Sequence, residues 1–334
     1  MKENTQSKTN PFVYSDSNKR YHTYDYYLRH TFGKKCAKIP LDGGFTCPNR
    51  DGRCGLGGCI YCSSNGSGDF TASATLPIAE QYRIQRERLA AKWKDFRCIP
   101  YFQAHTNTYA PVSRLRELFE QALALPDAVG LNVATRADCL PDDVIEYLAD
   151  LSERTVLTVE LGLQTSHDQT ALLINRGHTF EDFVKGYRRL RARAPKIRIG
   201  VHLILGLIGE NDEMMVETAQ RVAELRPNEV KLHSLYVLKD TKMAEIYRNG
   251  GYFPIEQERY VDLVVRVLEL MPPEVVIGRL TGDGMENQLL APLWSQKKRC
   301  VLNEIDKNFY DKNTWQGKNF KNLVFPTLDE LPFI

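Results

Sequence analysis

Apolar positions along the chain alternate between two patterns. Short, nearly continuous apolar runs at 37–41, 98–103, 130–134, 155–162, 197–205 and 229–235 predict buried β-strands. Longer segments between them, at 78–93, 113–123, 141–151, 180–192 and 210–225, carry apolar residues at helical spacing, as in Leu115, Leu118, Phe119 and Leu123. Six strands separated by helical crossovers predict an α/β fold with a parallel sheet, curling toward a full or partial barrel under the right-handed crossover rule. A further helix–strand pair is expected at 257–270 and 274–280. The polar start, 1–20, reads as a flexible tail, residues 21–280 as the barrel core, and 281–334 as an extension wrapping the barrel.

Composition narrows the function classes without choosing one. The 334 residues carry a formal net charge of +2, so bulk charge announces no nucleic-acid binder, though local basic clusters remain compatible with one. No apolar run approaches a membrane span and the start lacks a signal-peptide core, so no membrane partner and a cytoplasmic location are expected. Of the eight cysteines, Cys36, Cys47, Cys54, Cys59 and Cys62 fall within one short stretch. In a cytoplasmic chain that clustering points to metal or redox chemistry before disulfides.

The decisive segment is Cys47-Pro-Asn-Arg-Asp-Gly-Arg-Cys-Gly-Leu-Gly-Gly-Cys-Ile-Tyr-Cys62, between the first strand and the first long helix. That is the C-terminal rim of a barrel, where active sites lie. Three thiolates, Cys47, Cys59 and Cys62, can hold three irons of a cubane cluster, with glycines letting backbone amides approach the sulfurs and Tyr61 packing beside them. The alternatives are a four-cysteine zinc site that recruits Cys54, which would suit a zinc-stabilised nucleic-acid-binding protein without turnover, and inert thiols.

This loop resembles the cluster loop of the radical S-adenosylmethionine (SAM) superfamily. Its long first spacing is similar to that of the YhcC/YtqA-like subgroup and, more distantly, of the radical domain of the elongator catalytic subunit. The resemblance runs from about Tyr24 to about Trp294. It includes Leu41-Asp-Gly-Gly-Phe-Thr-Cys-Pro-Asn-Arg-Asp-Gly52, Phe102-Gln-Ala-His-Thr-Asn-Thr-Tyr-Ala-Pro111, Ala134-Thr-Arg-Ala-Asp-Cys-Leu-Pro141, Glu160-Leu-Gly-Leu-Gln164, Asn175-Arg-Gly-His-Thr179 and Leu205-Gly-Leu-Ile-Gly-Glu210. Ile208 departs from the family's usual Pro. The resemblance implies a partial (β/α)6 TIM-type radical SAM barrel with N- and C-terminal extensions, a 4Fe–4S cluster, SAM on the cluster's fourth iron, and an electron donor such as flavodoxin or ferredoxin. It implies SAM contacts from the strand end Gln103, His105, Thr106 and Asn107, and from Arg176 beside the SAM carboxylate; the plainer readings are a Thr/Asn turn and a helix end capped by Gly177.

Other positions are read from their own chemistry. Glu160 lies inside an apolar strand, where a carboxylate is costly unless paired; Glu160 and Gln164 are expected to contact the cofactor, the alternative for Glu160 being an ion pair, for example with Arg136. Leu205 and Gly206 are expected beside the adenine. Arg136, Asp138, Lys231 and Tyr236 are substrate candidates, and His202 and His233 read as satisfied barrel histidines. The basic run 187–198 and Lys297, Lys298 and Arg299 could track RNA phosphates or simply be solvated. The subgroup resemblance implies transfer RNA as partner, and a reaction on the carboxymethylaminomethyl group of wobble uridine toward the aminomethyl form. A small metabolite or protein side chain is the alternative substrate.

Overall fold

In a computed structural model, residues 9–320 are described except Ser67, Asp69 and Asp283. Helix α1 (Tyr24–Phe32) is capped by Thr23, whose hydroxyl accepts from the Tyr26 amide, and ends at Gly33 in the left-handed region. There follow β1 (Cys36–Leu41), α2 (Ile78–Ala90), β2 (Arg97–Phe102), α3 (Val112–Leu123), β3 (Gly130–Thr135), α4 (Asp142–Arg154) and β4 (Val156–Gln164). The chain continues through α5 (Asp168–Leu173), α6 (Phe180–Arg193), β5 (Arg198–Leu205), α7 (Asp212–Glu224), β6 (Glu229–Ser234), β7 (Val237–Leu238) and α8 (Lys242–Arg248). It ends with α9 (Gln257–Leu270), β8 (Val276–Arg279), β9 (Leu289–Ala291) and α10 (Lys298–Asp311).

Seven strands form one parallel sheet in the order β1-β2-β3-β4-β5-β6-β8, a curled partial barrel. The expected six strands are all present, and the later helix–strand pair adds the seventh. The outer edge of β8 is covered by the segment before α1: Thr23 bridges Ile277, and the Ile277 amide donates to the His22 carbonyl at 2.8 Å. The crossover helices α2, α3 and α4 each bury an apolar face against the outside of the sheet. In α3 this face is Leu115, Leu118, Phe119 and Ala122, and truncating a fully buried side chain such as Leu115 to Ala costs ~2–5 kcal/mol.

The ends differ from the sequence reading. Phe12 and Arg20 are buried, and Lys19 pairs with Asp306 of α10. Part of the stretch read as a tail is therefore packed on the barrel, because a single aromatic and its ion-paired flank suffice to anchor a polar segment. At the other end the Gln316 amide group donates to the Pro272 and Val275 carbonyls and accepts from the His22 amide, tying the two ends together. Residues 1–8 of the tail and 321–334 of the extension lie outside the described residues.

Candidate functional site

The loop after β1 returns on itself through backbone bonds. The Cys47 carbonyl accepts from the Arg50 amide at 2.8 Å, the Cys54 amide donates to Pro48, and the Gly58 amide donates to Asn49. Gly57 and Gly58 both adopt left-handed φ (78° and 80°), a conformation that would strain other residues. The result brings Cys47, Cys59 and Cys62 close enough to act on each other: burial, with Cys59 and Cys47 alongside, pushes the Cys62 thiol up to about 12. Cys54 faces elsewhere. It is exposed, neighbours Arg53 and Cys139, and lines an outer cleft of about 510 Å3 with Tyr109, Pro111 and Arg189.

Whether these residues suit a cubane cluster can be tested on the donors. Among the described residues no three His, Cys, Asp or Glu side chains converge as a single ion would require. Three neighbouring thiols suit irons at different corners of a cluster. The Asn49 side-chain amide donates to Cys59 Sγ at 3.6 Å, the kind of bond that tunes such a sulfur. The Tyr61 hydroxyl lies beside Cys59, and burial together with that sulfur holds it well above its ordinary value. The donor set fits.

The motif after α5 braces this loop. Asn175, in the left-handed region (φ 53°), donates from its side-chain amide to the Leu56 carbonyl at 3.1 Å and the Gly58 carbonyl at 2.7 Å. Its own carbonyl accepts from Asn49 Nδ2 at 2.5 Å, and Ile60 bonds Ile174. At Gly177 a Cβ would come within 2.5 Å of Asn49 Oδ1, so the approach needs glycine. Arg136 completes the brace, donating to the Arg176 and Gly177 carbonyls while its other edge grips Asp138 through two bonds of 2.9 and 2.7 Å. Arg136 and Asp138 are thus engaged with each other and the loop; the substrate role expected of them gives way to a positioning one.

Arg176 reaches back to the Gly162 carbonyl, next to Gln164 at the end of β4. Its guanidinium also acts on Cys62 and Tyr61, which places it at the cluster loop, and its Nε is buried without a partner among the described residues. Asn107 donates to Ala134 and leaves Oδ1 buried and unpaired. Thr106 bonds Thr46 through its amide, and His105 takes a left-handed φ beside Gly66. Gln103 ends β2 half-buried, with a partner of its own. Leu205 and Gly206 close β5, where Gly206 donates its amide to Met215 and accepts from the Tyr252 hydroxyl. These residues stand at the C-terminal strand ends, as expected of a rim site.

Glu160 is different. Its Oε1 accepts from Lys38 (2.7 Å) and Asn132 (2.8 Å), and its Oε2 from Tyr101 (2.6 Å), His202 (2.9 Å) and Lys231 (2.5 Å). Burial alone would raise this carboxyl, but Lys231 and Lys38 hold it well below the usual range. The cofactor contact expected of Glu160 is corrected here: protein donors occupy both of its oxygens. The ion pair is with Lys38 and Lys231 instead of Arg136, which is turned to Asp138. Lys231, expected in a substrate pocket, is buried within the same network; burial pulls its ammonium down to about 7 against the attraction of Glu160. His202 is the satisfied barrel histidine anticipated, whereas His233 Nε2 is buried without a partner among the described residues. Tyr236 lies half-buried with its hydroxyl against the backbone of Gly282.

Asn49, Asn175 and Lys38 escaped the sequence reading. The signals were present: Asn before Arg-Gly suits a left-handed turn, and a lysine inside an apolar strand demands a buried acid.

The basic run is partly spent on α4. Arg189 and Arg193 pair with Asp142, Arg193 also with Glu146, and Lys196 with Glu153. No described helix is long and apolar enough to cross a membrane.

Comparisons with known proteins agree with the geometry. The Radical SAM superfamily profile matches residues 50–222, and the Radical SAM C-terminal domain profile matches 227–311. YtqA of Bacillus subtilis is 50% identical over 316 residues, covering 95% of this chain and 98% of that protein. The tRNA uridine(34) acetyltransferase of Methanocaldococcus jannaschii is 27% identical over 158 residues, 46% of this chain and 28% of that protein. The solved structure of Methanocaldococcus infernus Elp3 with an N-terminal deletion shares the fold, with a TM-score of 0.61 at 17% identity, covering 90% of this chain and 71% of that one. The chain belongs to the radical SAM superfamily, whose members use a 4Fe–4S cluster together with SAM.

Proposed function

We propose that this enzyme acts on transfer RNA, abstracting hydrogen from the carboxymethylaminomethyl side chain of wobble uridine on the way to the aminomethyl form. When bound, the cluster and SAM supply a one-electron cleavage of the sulfonium and a 5′-deoxyadenosyl radical that takes a hydrogen atom. In this reading Cys47, Cys59 and Cys62 hold three irons and Asn49 donates to the Cys59 sulfur. Arg176 receives the SAM carboxylate with its fork of donors. Asn107, with its unpaired buried carbonyl oxygen, accepts from the SAM ammonium, assisted by Gln103, His105 and Thr106. Gln164 contacts the ribose, and Leu205 and Gly206 line the adenine side, with Tyr61 over the sulfurs. Tyr236 remains a substrate-side candidate.

The observation that carries the reading is the cluster loop with unpaired polar atoms beside it on Asn107 and Arg176. Similarity over nearly half of the chain to a tRNA uridine(34)-modifying protein supports the RNA substrate. Since Arg189, Arg193 and Lys196 of the basic run are already ion-paired, RNA contact falls first to Lys297 and Arg299, exposed at the start of α10. Two measurements test the halves separately. Anaerobically reconstituted protein given dithionite and SAM should release 5′-deoxyadenosine; none formed contradicts the radical reading. Nucleoside mass spectrometry of transfer RNA from a deletion strain should show the carboxymethylaminomethyl wobble nucleoside accumulating; an unchanged profile contradicts the substrate.

A further inference from the structure

Three leucines on this chain are exposed where one loop meets one helix. Leu56 is 74% exposed, Leu172 82% and Leu173 57%. Isolated exposed leucines are ordinary, but these belong to one hydrogen-bonded unit. Asn175 follows Leu172 and Leu173 at the end of α5 and holds the Leu56 carbonyl. Leu173 reaches to Gly209 on the turn after β5, where a Cβ would meet it at 3.2 Å.

The patch lies over the cluster loop. Between Cys54 and Cys59 the sequence is Gly-Leu-Gly-Gly, so Leu56 is the one side chain that this stretch itself carries. A short bonded path leads inward. The Leu56 carbonyl accepts from Asn175 Nδ2, the Asn175 carbonyl accepts from Asn49 Nδ2, and that same amide donates to Cys59 Sγ. Surface and ligand sulfur are thus joined through two side-chain amides.

A cation stands at the edge of the patch. Lys242 opens α8 with its ammonium 3.7 Å from where a Gly57 Cβ would stand, is exposed, and has no ion-pair partner among the described residues. Arg53 is exposed in the same loop, its guanidinium over the Tyr109 ring. Asp51, the loop's exposed acid, accepts from the Arg53 amide.

We infer that Leu56, Leu172 and Leu173, with Lys242 at their edge, form the docking surface for a small acidic one-electron carrier protein that reduces the cluster. This rests on the radical reading above and adds where the electron enters. One electron passes from the reduced carrier to the oxidised cluster, and the carrier leaves oxidised. An apolar centre with a cation at its edge suits such a transient contact, in which charge sets the encounter rate and the apolar centre the residence time.

The test uses reconstituted holoenzyme and reduced flavodoxin as the probe, with variants Lys242→Glu, Leu172→Glu and their combination. Lys242→Glu puts an acid in the first turn of a helix, where it is tolerated, so this variant keeps its fold. Flavodoxin binding, followed by titration calorimetry without SAM, should weaken about tenfold in each single variant and further in the pair, with the wild-type affinity falling as salt rises. Flavodoxin-driven deoxyadenosine formation should fall in parallel, while dithionite-driven formation stays at the wild-type rate. Unchanged flavodoxin binding and flavodoxin-driven turnover in the double variant overturn the docking surface and leave the radical reading intact. Loss of transfer RNA binding with flavodoxin binding preserved also overturns it, assigning the patch to the substrate. Failure of the wild-type protein to cleave SAM with dithionite counts against the radical reading, and calorimetry still decides the surface.

Discussion

Two polar clusters in this barrel solve the cost of burial in opposite ways. Around Glu160, every oxygen lone-pair direction is met by a protein donor, with Lys38, Tyr101, Asn132, His202 and Lys231 converging from five other strands. Around the Cys47–Cys62 loop the backbone is tightly bonded, yet Asn49 Oδ1, Asn107 Oδ1, Arg176 Nε and His178 Nε2 are buried without partners among the described residues. Leaving such atoms unpaired costs about 1–3 kcal/mol each, a cost that a bound ligand's own donors and acceptors would offset; His233 Nε2 and Glu229 Oε2, beside the Glu160 network, share that state. The Glu160 cluster joins strands; the loop is where we propose the iron–sulfur cluster sits.

The contrast breaks most severely at the sulfurs. Replacing Cys47, Cys59 or Cys62 by Ala should abolish SAM cleavage, while Cys54→Ala should retain iron, sulfide and activity; equal loss in all four variants would make Cys54 a ligand. Glu160→Gln should cost ~3–5 kcal/mol in urea unfolding, because the buried Lys231 loses its counterion and Lys38 keeps Glu229 alone. Iron bound per folded molecule should stay at the wild-type level, and iron loss would move Glu160 into the site. The same group sharpens the pH response. Its folded carboxyl lies well below its unfolded value of about 4.3, so its contribution is full above that pH and is lost as pH falls toward the lower folded value. Stability of the wild type should fall more steeply with acid below pH ~4.3 than that of Glu160→Gln, as read from urea midpoints.

Smaller effects lie in the brace and on the surface. Asn175→Ala removes the amide that holds Leu56 and Gly58, and should weaken cluster retention ~10–100-fold, measured by iron loss to a chelator. Arg193→Ala, on the ion-paired basic helix, should change stability by less than about 1 kcal/mol and leave transfer RNA affinity unchanged in filter binding. A marked fall in affinity would restore that helix as an RNA surface.

What the sequence made legible follows from range. Apolar runs and the Cys47, Cys59 and Cys62 spacing are local, and each strand they predicted is present. Short α5 and α8 lack enough turns for a helical period, and the aromatic stretch before β1 hid α1 behind its polar face. The Asn49–Asn175 bridge spans 126 positions and Lys38–Glu160 spans 122. Periodicity carries nothing over such distances; only pairing logic does. Glu160 was rightly read as needing a partner, but several bases were available, and Arg136 was nearer in sequence than Lys38 or Lys231.

The central claim is that three thiolates leave one iron open to SAM. Mössbauer spectroscopy of the anaerobically reconstituted, iron-57-labelled protein, with and without SAM, addresses it directly. One iron of the four should change its isomer shift on adding SAM, in the wild type and in Cys54→Ala alike. Four irons that ignore SAM, or a protein that takes up zinc in place of iron, would contradict the account.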